Sequence, residues 1–168
     1  LSSGLAIGAM ISLVGCGGGS SSGTTSTIPT GTSYYIDAAV SGVKYTCGQQ
    51  QGVTGADGKF TFEVRSNCSF YLGDIKLRDV APELLVDGGE VYETDLTIGR
   101  ILQSIDEDGD PTNGITVNTA IVEALATEGI TSLPTDPTEM RSLLTIVESN
   151  GGTLVTEIDA QAHILKSL

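Results

Sequence analysis

Residues 52–62 read Gly-Val-Thr-Gly-Ala-Asp-Gly-Lys-Phe-Thr-Phe, and they contain the strongest turn signal in the chain. The pair Asp57-Gly58 stands just before the alternating residues Phe60 and Phe62. Asp-Gly favours a tight turn between antiparallel strands, because glycine adopts the positive φ that such a turn requires. The stretch therefore predicts a β-hairpin, and it indicates that the surrounding segment folds as a β-unit.

Alternation of apolar and polar residues extends to both sides of this turn. The apolar positions are Val43, Tyr45 and Cys47 before the turn, and Phe60, Phe62, Val64, Cys68, Phe70, Leu72, Ile75 and Leu77 after it. A period of two over short runs is typical of half-buried antiparallel strands. We expect a small antiparallel β-sandwich of roughly five to seven strands over residues 34–80.

The apolar residues take helical spacing in the second half of the chain. Ile98, Ile101, Leu102 and Ile105 show this spacing first. Further helices are expected after N-cap residues at Asn118 or Thr119, at Asp136, which precedes Pro137, and at Thr156. The sequence thus predicts an α+β fold, in which the β-sandwich is followed by an acidic subdomain of about four short helices over residues 81–168.

The last of these helices has an apolar face of its own. That face consists of Ile158, Ala162, Leu165 and Leu168. We expect the four amphipathic helices to pack together or onto one face of the sheet, and so to form core rather than to bind a partner.

The N-terminal segment resembles a secretory leader. Residues 5–14 are apolar, and about ten such residues suit the hydrophobic region of a signal peptide but not a membrane-spanning helix. The run Leu13-Val14-Gly15-Cys16 resembles the lipobox of bacterial lipoproteins, which implies cleavage after residue 15 and a lipid (palmitate) anchor on Cys16. A buried N-terminal helix or strand that contains a cysteine is the alternative. Since neither Met nor a basic region precedes Leu1, we expect that the leader is truncated.

Residues 17–33 are rich in Gly, Ser and Thr. They offer too little apolar surface to fold, so residues 16–33 are predicted to be the lipidated cysteine and a flexible tether, with an r.m.s. reach of roughly 20–25 Å. By resemblance to enteric lipoproteins, Gly17 after the cysteine implies sorting to the outer membrane. The lipid bilayer is then a partner through the anchor.

Cys47 and Cys68 both fall on the apolar phase of their predicted strands. An exported protein folds in an oxidising compartment, and two cysteines remain once Cys16 is lipidated. We expect Cys47 and Cys68 to form a disulfide. Two reduced, buried thiols remain an alternative, and so does a metal-binding pair, although no histidine or further cysteine is near in the sequence.

The run Asp106-Glu107-Asp108-Gly109-Asp110 is the one motif that points to ligand chemistry. Carboxylates at the first, third and fifth positions of a loop can converge on a hard cation, and Asn113 can add an oxygen. We therefore predict a calcium site at Asp106, Asp108, Asp110 and Asn113. Pro111 and Val117 depart from the EF-hand pattern, which favours weak affinity. The alternative is a solvated acidic turn whose aspartates cap backbone groups.

Charge and composition exclude several classes of partner. The chain has 21 acidic and 8 basic residues, a net charge of −13 and 5% aromatic residues without tryptophan. A nucleic-acid binder needs a basic face, and an anionic membrane surface repels a chain of this charge. Scarce aromatics also argue against a platform on which bases or sugars stack. We expect no nucleic acid partner.

Ser41-Gly42-Val43, followed by residues 52–62, also resembles the hairpin of transthyretin-like, carboxypeptidase-regulatory-like β-sandwich modules. Taken with residues 45–48 and with residues 101–110, this stretch is similar to a module near the N-terminus of proteobacterial surface lipoproteins, where it often precedes adhesin-like repeats. The resemblance covers about residues 34–168. It implies a β-sandwich fold and a place at the cell surface, and it is weak for function.

Signatures of enzymes are missing from the sequence. It has no nucleophile elbow, zinc-protease motif, phosphate-binding loop or dinucleotide fingerprint. The single histidine, His163, is expected to be packed or half-exposed in the middle of a helix. We predict a non-enzymatic, outer-membrane-anchored lipoprotein that binds or displays an unknown protein or glycan ligand, adhesin-like in role. The alternatives are a periplasm-facing assembly or regulatory subunit of an envelope complex and, third, an enzyme accessory domain.

Overall fold

The computed structural model describes residues 27–168, and within them the chain forms nine strands and four α-helices. The strands are β1 (Thr30–Ile36), β2 (Val40–Ser41), β3 (Lys44–Cys47), β4 (Gln50–Val53), β5 (Lys59–Glu63), β6 (Cys68–Leu72), β7 (Ile75–Val80), β8 (Gly89–Tyr92) and β9 (Ile115–Thr116). The helices are α1 (Leu96–Ser104), α2 (Thr119–Thr127), α3 (Pro137–Ser149) and α4 (Glu157–Ser167). The predicted α+β class is confirmed.

The strands form a four-stranded sheet, a three-stranded sheet and a small two-stranded pair. The four-stranded sheet has the order β4-β3-β6-β7 and is antiparallel throughout. The three-stranded sheet has the order β5-β1-β8, in which β1 runs antiparallel to β5 but parallel to β8. Strands β2 and β9 are also parallel. The strands of the predicted β-unit therefore pair antiparallel with one another, and among the described strands parallel pairs arise only where the second half of the chain returns to β1 and β2.

The predicted hairpin at Asp57-Gly58 is wrong. β4 pairs with β3, whereas β5 pairs with β1 in the other sheet. The turn exists, and the Gly58 amide donates to the Gly55 carbonyl at 2.8 Å, but it carries the chain from one sheet to the other. An Asp-Gly pair specifies the local backbone only. In its pairing with β1, β5 places Phe60 and Phe62 in the core, whereas Val53 at the end of β4 is 55% exposed.

Gly58 has a positive φ of +78° and lies against β1, where its carbonyl accepts a hydrogen bond from the Tyr35 amide at 2.9 Å. A Cβ at this position would overlap the backbone oxygen of Tyr35, which cannot move without disturbing the sheet. We expect Gly58→Ala to destabilise the fold by about 1–3 kcal/mol from the backbone conformation and more from the overlap.

The control for Gly58→Ala is Gly88→Ala. Gly88 has a similar φ of +75°, but nothing lies within 4 Å of its added Cβ. Urea unfolding of both variants separates the cost of the positive φ from the cost of the overlap. Equal losses for the two variants would contradict the close approach of Gly58 to β1.

One hydrophobic core joins the sheets to the helices. Phe70 lies at its centre, with its ring centroid 4.8 Å from that of Tyr35 and 5.0 Å from that of Phe60. The same cluster of buried side chains includes Ile101 of α1 and Val147 of α3. The sheet residues and the helical residues therefore share one core.

Two predicted boundaries differ from the structure. The tether was expected to reach residue 33, but β1 begins at Thr30, and Ser33 is buried with its hydroxyl donating to the Gly89 carbonyl at 2.7 Å. The segment 81–168 was expected to be helical, but it also supplies β8 and β9. Both differences come from pairing between distant segments, which local composition does not encode.

The helix starts follow the sequence signals closely. Asn118, Asp136 and Thr156 are N-caps, and the side chain of each accepts a hydrogen bond from a backbone amide in the first turn of its helix. Asp95 caps α1 in the same way, with its Oδ1 accepting from the Ile98 amide at 3.0 Å. Caps of this kind satisfy amides that the helix itself leaves unpaired.

The expected core face of α4 is wrong. Ile158, Leu165 and Leu168 are 80%, 65% and 62% exposed, whereas Ala160 and Ile164 are buried. The reason is the close approach of α4 to α1 at Gly99, where an added Cβ would lie 2.6 Å from the Ile164 Cδ1 atom. Because α4 packs through the face that carries Ala160 and Ile164, the remaining apolar residues Ile158, Leu165 and Leu168 form an exposed stripe.

Candidate functional site

The acidic motif lies on a loop that closes on itself. The chain leaves α1, turns at residues 108–114 and returns antiparallel to its own start, so that Asp106 bridges to Val117. The Glu107 amide donates to the Thr116 carbonyl at 2.9 Å, and the Asn118 amide donates to the Ile105 carbonyl at 3.0 Å. The loop therefore sets the end of α1 and the start of α2 relative to each other.

The carboxylates of this loop mostly hold its own backbone and side chains. Asp108 Oδ1 accepts from the Asp110 amide at 2.9 Å, and its Oδ2 accepts from Asn113 Nδ2, also at 2.9 Å. Asp110 Oδ1 accepts from the Thr112 amide at 3.1 Å. Asn113 is thus hydrogen-bonded to Asp108, whereas Asp110 caps the amide of Thr112. Capping of this kind is what the alternative, a solvated acidic turn, predicts.

Asp106 differs from its neighbours because it is 3% exposed. Its Oδ1 accepts from the Thr116 amide at 2.8 Å, but its buried Oδ2 has no hydrogen-bond partner among the described residues. Burial raises the pKa of Asp106, with a further contribution from the contact and charge of Asp108. The hydrogen bond from Asn113 lowers the pKa of Asp108. The charge of Asp108 thus disfavours the ionised form of Asp106.

The predicted four-ligand set is not gathered around one point. Within residues 27–168, no group of three or more His, Cys, Asp or Glu side chains is arranged to hold a metal ion. Among the buried side-chain atoms of this loop, Oδ2 of Asp106 has no hydrogen-bond partner within residues 27–168, so it is the atom left open to a cation. A calcium ion bound there would take its remaining oxygens from backbone carbonyls and water.

The calcium prediction can be tested by thermal unfolding. With a dissociation constant of about 10⁻⁴ M, calcium at tenfold excess stabilises the native state by about 1.4 kcal/mol, which raises Tm by roughly 3–5 °C. We expect Asp108→Asn to lose this shift and the control Asp110→Asn to retain it. Magnesium should do less than calcium. If calcium raises the Tm of the wild type no more than magnesium does, the loop is a solvated acidic turn and not a calcium site.

The predicted disulfide between Cys47 and Cys68 is confirmed. The two residues stand directly opposite each other on the antiparallel strands β3 and β6, and both are fully buried. The predicted lipidation site, Cys16, lies outside the described residues.

A buried polar cluster, which the sequence did not indicate, lies between β1, α1 and α4. Gln103 Nε2 donates to Asp37 Oδ2 at 2.9 Å, and His163 Nε2 lies 3.6 Å from Asp37 Oδ1. Asp37 and Gln103 have no exposed surface. Burial raises the pKa of Asp37 to about 6, with a smaller contribution from Glu93, while Gln103 and His163 act in the opposite direction.

A second part of this cluster centres on Glu93. The Tyr35 hydroxyl donates to Glu93 Oε2, and the Asp95 amide donates to Glu93 Oε1 at 2.8 Å. Arg78 lies 3.4 Å from the same carboxylate. Burial, with Glu93 next in weight, raises the pKa of Tyr35 well above its usual value, so the hydroxyl remains a donor. The sequence did hold a signal for the burial of Glu93. Side chains alternate between the two faces of a strand, so Glu93, two residues after the buried Val91, is expected on the same buried face.

An open groove lies beside α1 and α3. Its volume is about 550 Å³, and its lining includes the apolar residues Leu96, Met140, Leu144 and Leu154 and the two arginines Arg100 and Arg141. The Arg100 Nε atom donates to the Val155 carbonyl at 2.9 Å and so holds the segment that leads into α4. Nothing local in the sequence links these two arginines, because they come from different helices.

Comparison with known protein families, with curated proteins and with solved structures yields no match. The resemblance to transthyretin-like modules and to surface lipoproteins therefore stays a prediction.

None of the helices within residues 27–168 is both long enough and apolar enough to span a membrane.

Proposed function

We propose that this chain is an outer-membrane-anchored lipoprotein whose folded domain serves as a non-enzymatic binding or display module, adhesin-like, at the cell surface. The observation that supports the proposal most directly is the buried Cys47–Cys68 disulfide, because such bonds persist in oxidising compartments outside the cytoplasm. Calcium at Asp106 and Asp108 is part of the proposal, as a stabilising ion.

The start of the fold also supports tethering. Strand β1 begins at Thr30, near the end of the Gly/Ser/Thr-rich residues 17–33, and it pairs on both sides, with β5 and with β8. A lipid on Cys16 would thus connect through a short, uncharged segment to a strand in the middle of a sheet. Such an attachment would hold the domain near the bilayer.

The second candidate is a periplasm-facing assembly or regulatory subunit of an envelope complex. The exposed apolar stripe on α4, formed by Ile158, Leu165 and Leu168, favours this alternative. Apolar residues at helical spacing are the anchors by which amphipathic helices dock into grooves of partner proteins.

Mass spectrometry and protease treatment of intact cells test the two candidates. The chain is expressed behind a complete leader, together with Cys16→Ser. We expect acyl chains on the N-terminal peptide of the wild type, membrane fractionation that requires Cys16, and digestion of the domain by protease added outside. Protection until the outer membrane is permeabilised would favour the periplasmic candidate, and an N-terminal peptide without lipid would refute the lipoprotein.

A further inference from the structure

We propose that the groove beside α1 and α3 binds a peptide segment of a partner protein, in which a carboxylate side chain is flanked by aliphatic side chains. This inference rests on the proposed binding function and names the class of ligand for it. Three features of the groove support it, namely its unpaired arginines, its apolar lining and its lack of aromatic side chains.

The charge of the groove is unusual for this chain. The net charge is −13 with 8 basic residues, yet two of those residues, Arg100 and Arg141, line the same groove. Within residues 27–168, neither arginine forms an ion pair with a carboxylate. The hydrogen bond of Arg100 to Val155 uses only its Nε atom. Guanidinium groups without an ion-pair partner can bind a carboxylate of a ligand through charge-assisted hydrogen bonds.

The acidic residues nearby limit the charge of the ligand. Asp136 and Glu157 also line the groove. The carboxylate of Asp136 is already used, since its Oδ1 accepts from the amides of Thr138 at 2.7 Å and Glu139 at 2.9 Å. Together with the net charge of the chain, these groups repel polyanions. A segment with one or two carboxylates fits the groove, whereas nucleic acid or polyphosphate does not.

The apolar lining favours peptide over glycan. Leu144 is 6% exposed, and Leu154, at 43% exposed, stands on the open side. Met140 is partly buried and packs against the core. Sugar-binding clefts commonly stack the sugar ring on aromatic side chains, and none lines this groove. Aliphatic side chains of a bound peptide would gain burial against these residues, and the volume of about 550 Å³ is typical of ligand sites.

The test is a titration of the ¹⁵N-labelled, disulfide-bonded protein, followed by NMR. The probes are acetyl-Ser-Leu-Glu-Leu-Ser-amide, the same peptide with Gln in place of Glu, and maltohexaose. We expect the Glu peptide to shift the amides of residues 96–100 and 140–145 and to bind about fivefold more tightly than the Gln peptide, which is typical of a partly exposed ion pair.

Arg141→Gln supplies the specific variant, because the Arg141 side chain makes no hydrogen bond within residues 27–168 and its removal should leave Tm unchanged. It should reduce the preference for the Glu peptide, with Arg100 left in the groove to account for the remainder. Lys166→Gln is the matched control, since Lys166 is exposed on α4, carries the same charge and does not line the groove. It should keep the preference.

Equal affinity for the two peptides, or an unchanged preference in Arg141→Gln, would overturn the proposal. So would shifts of the groove amides by maltohexaose instead of peptide, which would indicate a glycan site. Lipid on Cys16 and protease access on intact cells are measured independently. If the groove binds neither peptide, this ligand class is refuted, but the proposed anchored display function is not, because the lipid and protease measurements test that function separately.

Discussion

Reduction of the Cys47–Cys68 disulfide will lower the free energy of unfolding by about 3 kcal/mol. In the chain-entropy model, a link that closes a loop of about 20 residues removes conformations mainly from the unfolded chain. The bond joins the central strands β3 and β6 of the four-stranded sheet, and both cysteines are fully buried. Urea unfolding of the oxidised and reduced wild type at pH 7 measures the difference.

The double variant Cys47→Ala, Cys68→Ala separates the cross-link from the packing. Reduced wild type keeps both sulfur atoms in the core, whereas the double variant also removes them and leaves space. We expect the double variant to lose the same 3 kcal/mol plus about 1–2 kcal/mol for the cavity. Identical urea midpoints for oxidised and reduced wild type would show that the bond adds no stability.

Asp37→Asn will stabilise the protein at pH 8 by about 2–3 kcal/mol and will have little effect at pH 4. The pKa of Asp37 is raised from 3.8 to about 6 in the folded state by burial. Between these values the native state binds a proton that the unfolded chain has released, so stability falls as pH rises through this window. Asparagine resembles the protonated form and removes that loss.

Three groups face Asp37 and shape the pH profile, namely Gln103, His163 and Glu93. Because His163 lowers the pKa of Asp37, the variant His163→Gln should raise that pKa further, so that the fall in stability extends to higher pH and becomes larger. Asp74→Asn is the control, since Asp74 is exposed in the turn before β7. Chemical unfolding at several pH values between 4 and 8 checks all three variants. A wild-type profile that matches that of Asp37→Asn throughout would show that Asp37 does not titrate in this window.

Features that are determined locally were predictable from the sequence. The caps Asn118, Asp136 and Thr156 are read from a polar residue placed before an apolar helical pattern, and each one starts its helix. The disulfide follows from the number of cysteines and their phase on two strands. For the caps, the signal and the helix start that it specifies lie within a few residues of each other. For the disulfide, only one pairing is possible once Cys16 is assigned to the lipid.

Features that depend on distant contacts were not predictable in this way. Asp57-Gly58 specified a turn but not the strands that it joins, and the apolar phase of β5 fits either sheet. The stripe on α4 was expected in the core because its apolar residues share one helical face, whereas Ala160 and Ile164 are the buried residues and Ile164 lies against Gly99 of α1. The groove escaped prediction because Arg100 and Arg141 become neighbours only when α1 and α3 have packed.

The parallel pairing of the first strands has a consequence for the order of folding. β1 takes one neighbour from residues 89–92, and β2 takes its neighbour from residues 115–116. Pairings between segments so far apart in the chain close large loops and form slowly. The four-stranded sheet, whose strands follow one another closely along the chain, can assemble first. The strand nearest the proposed anchor is then completed late, and in the meantime its unpaired edge is open to chaperones or to association with other chains.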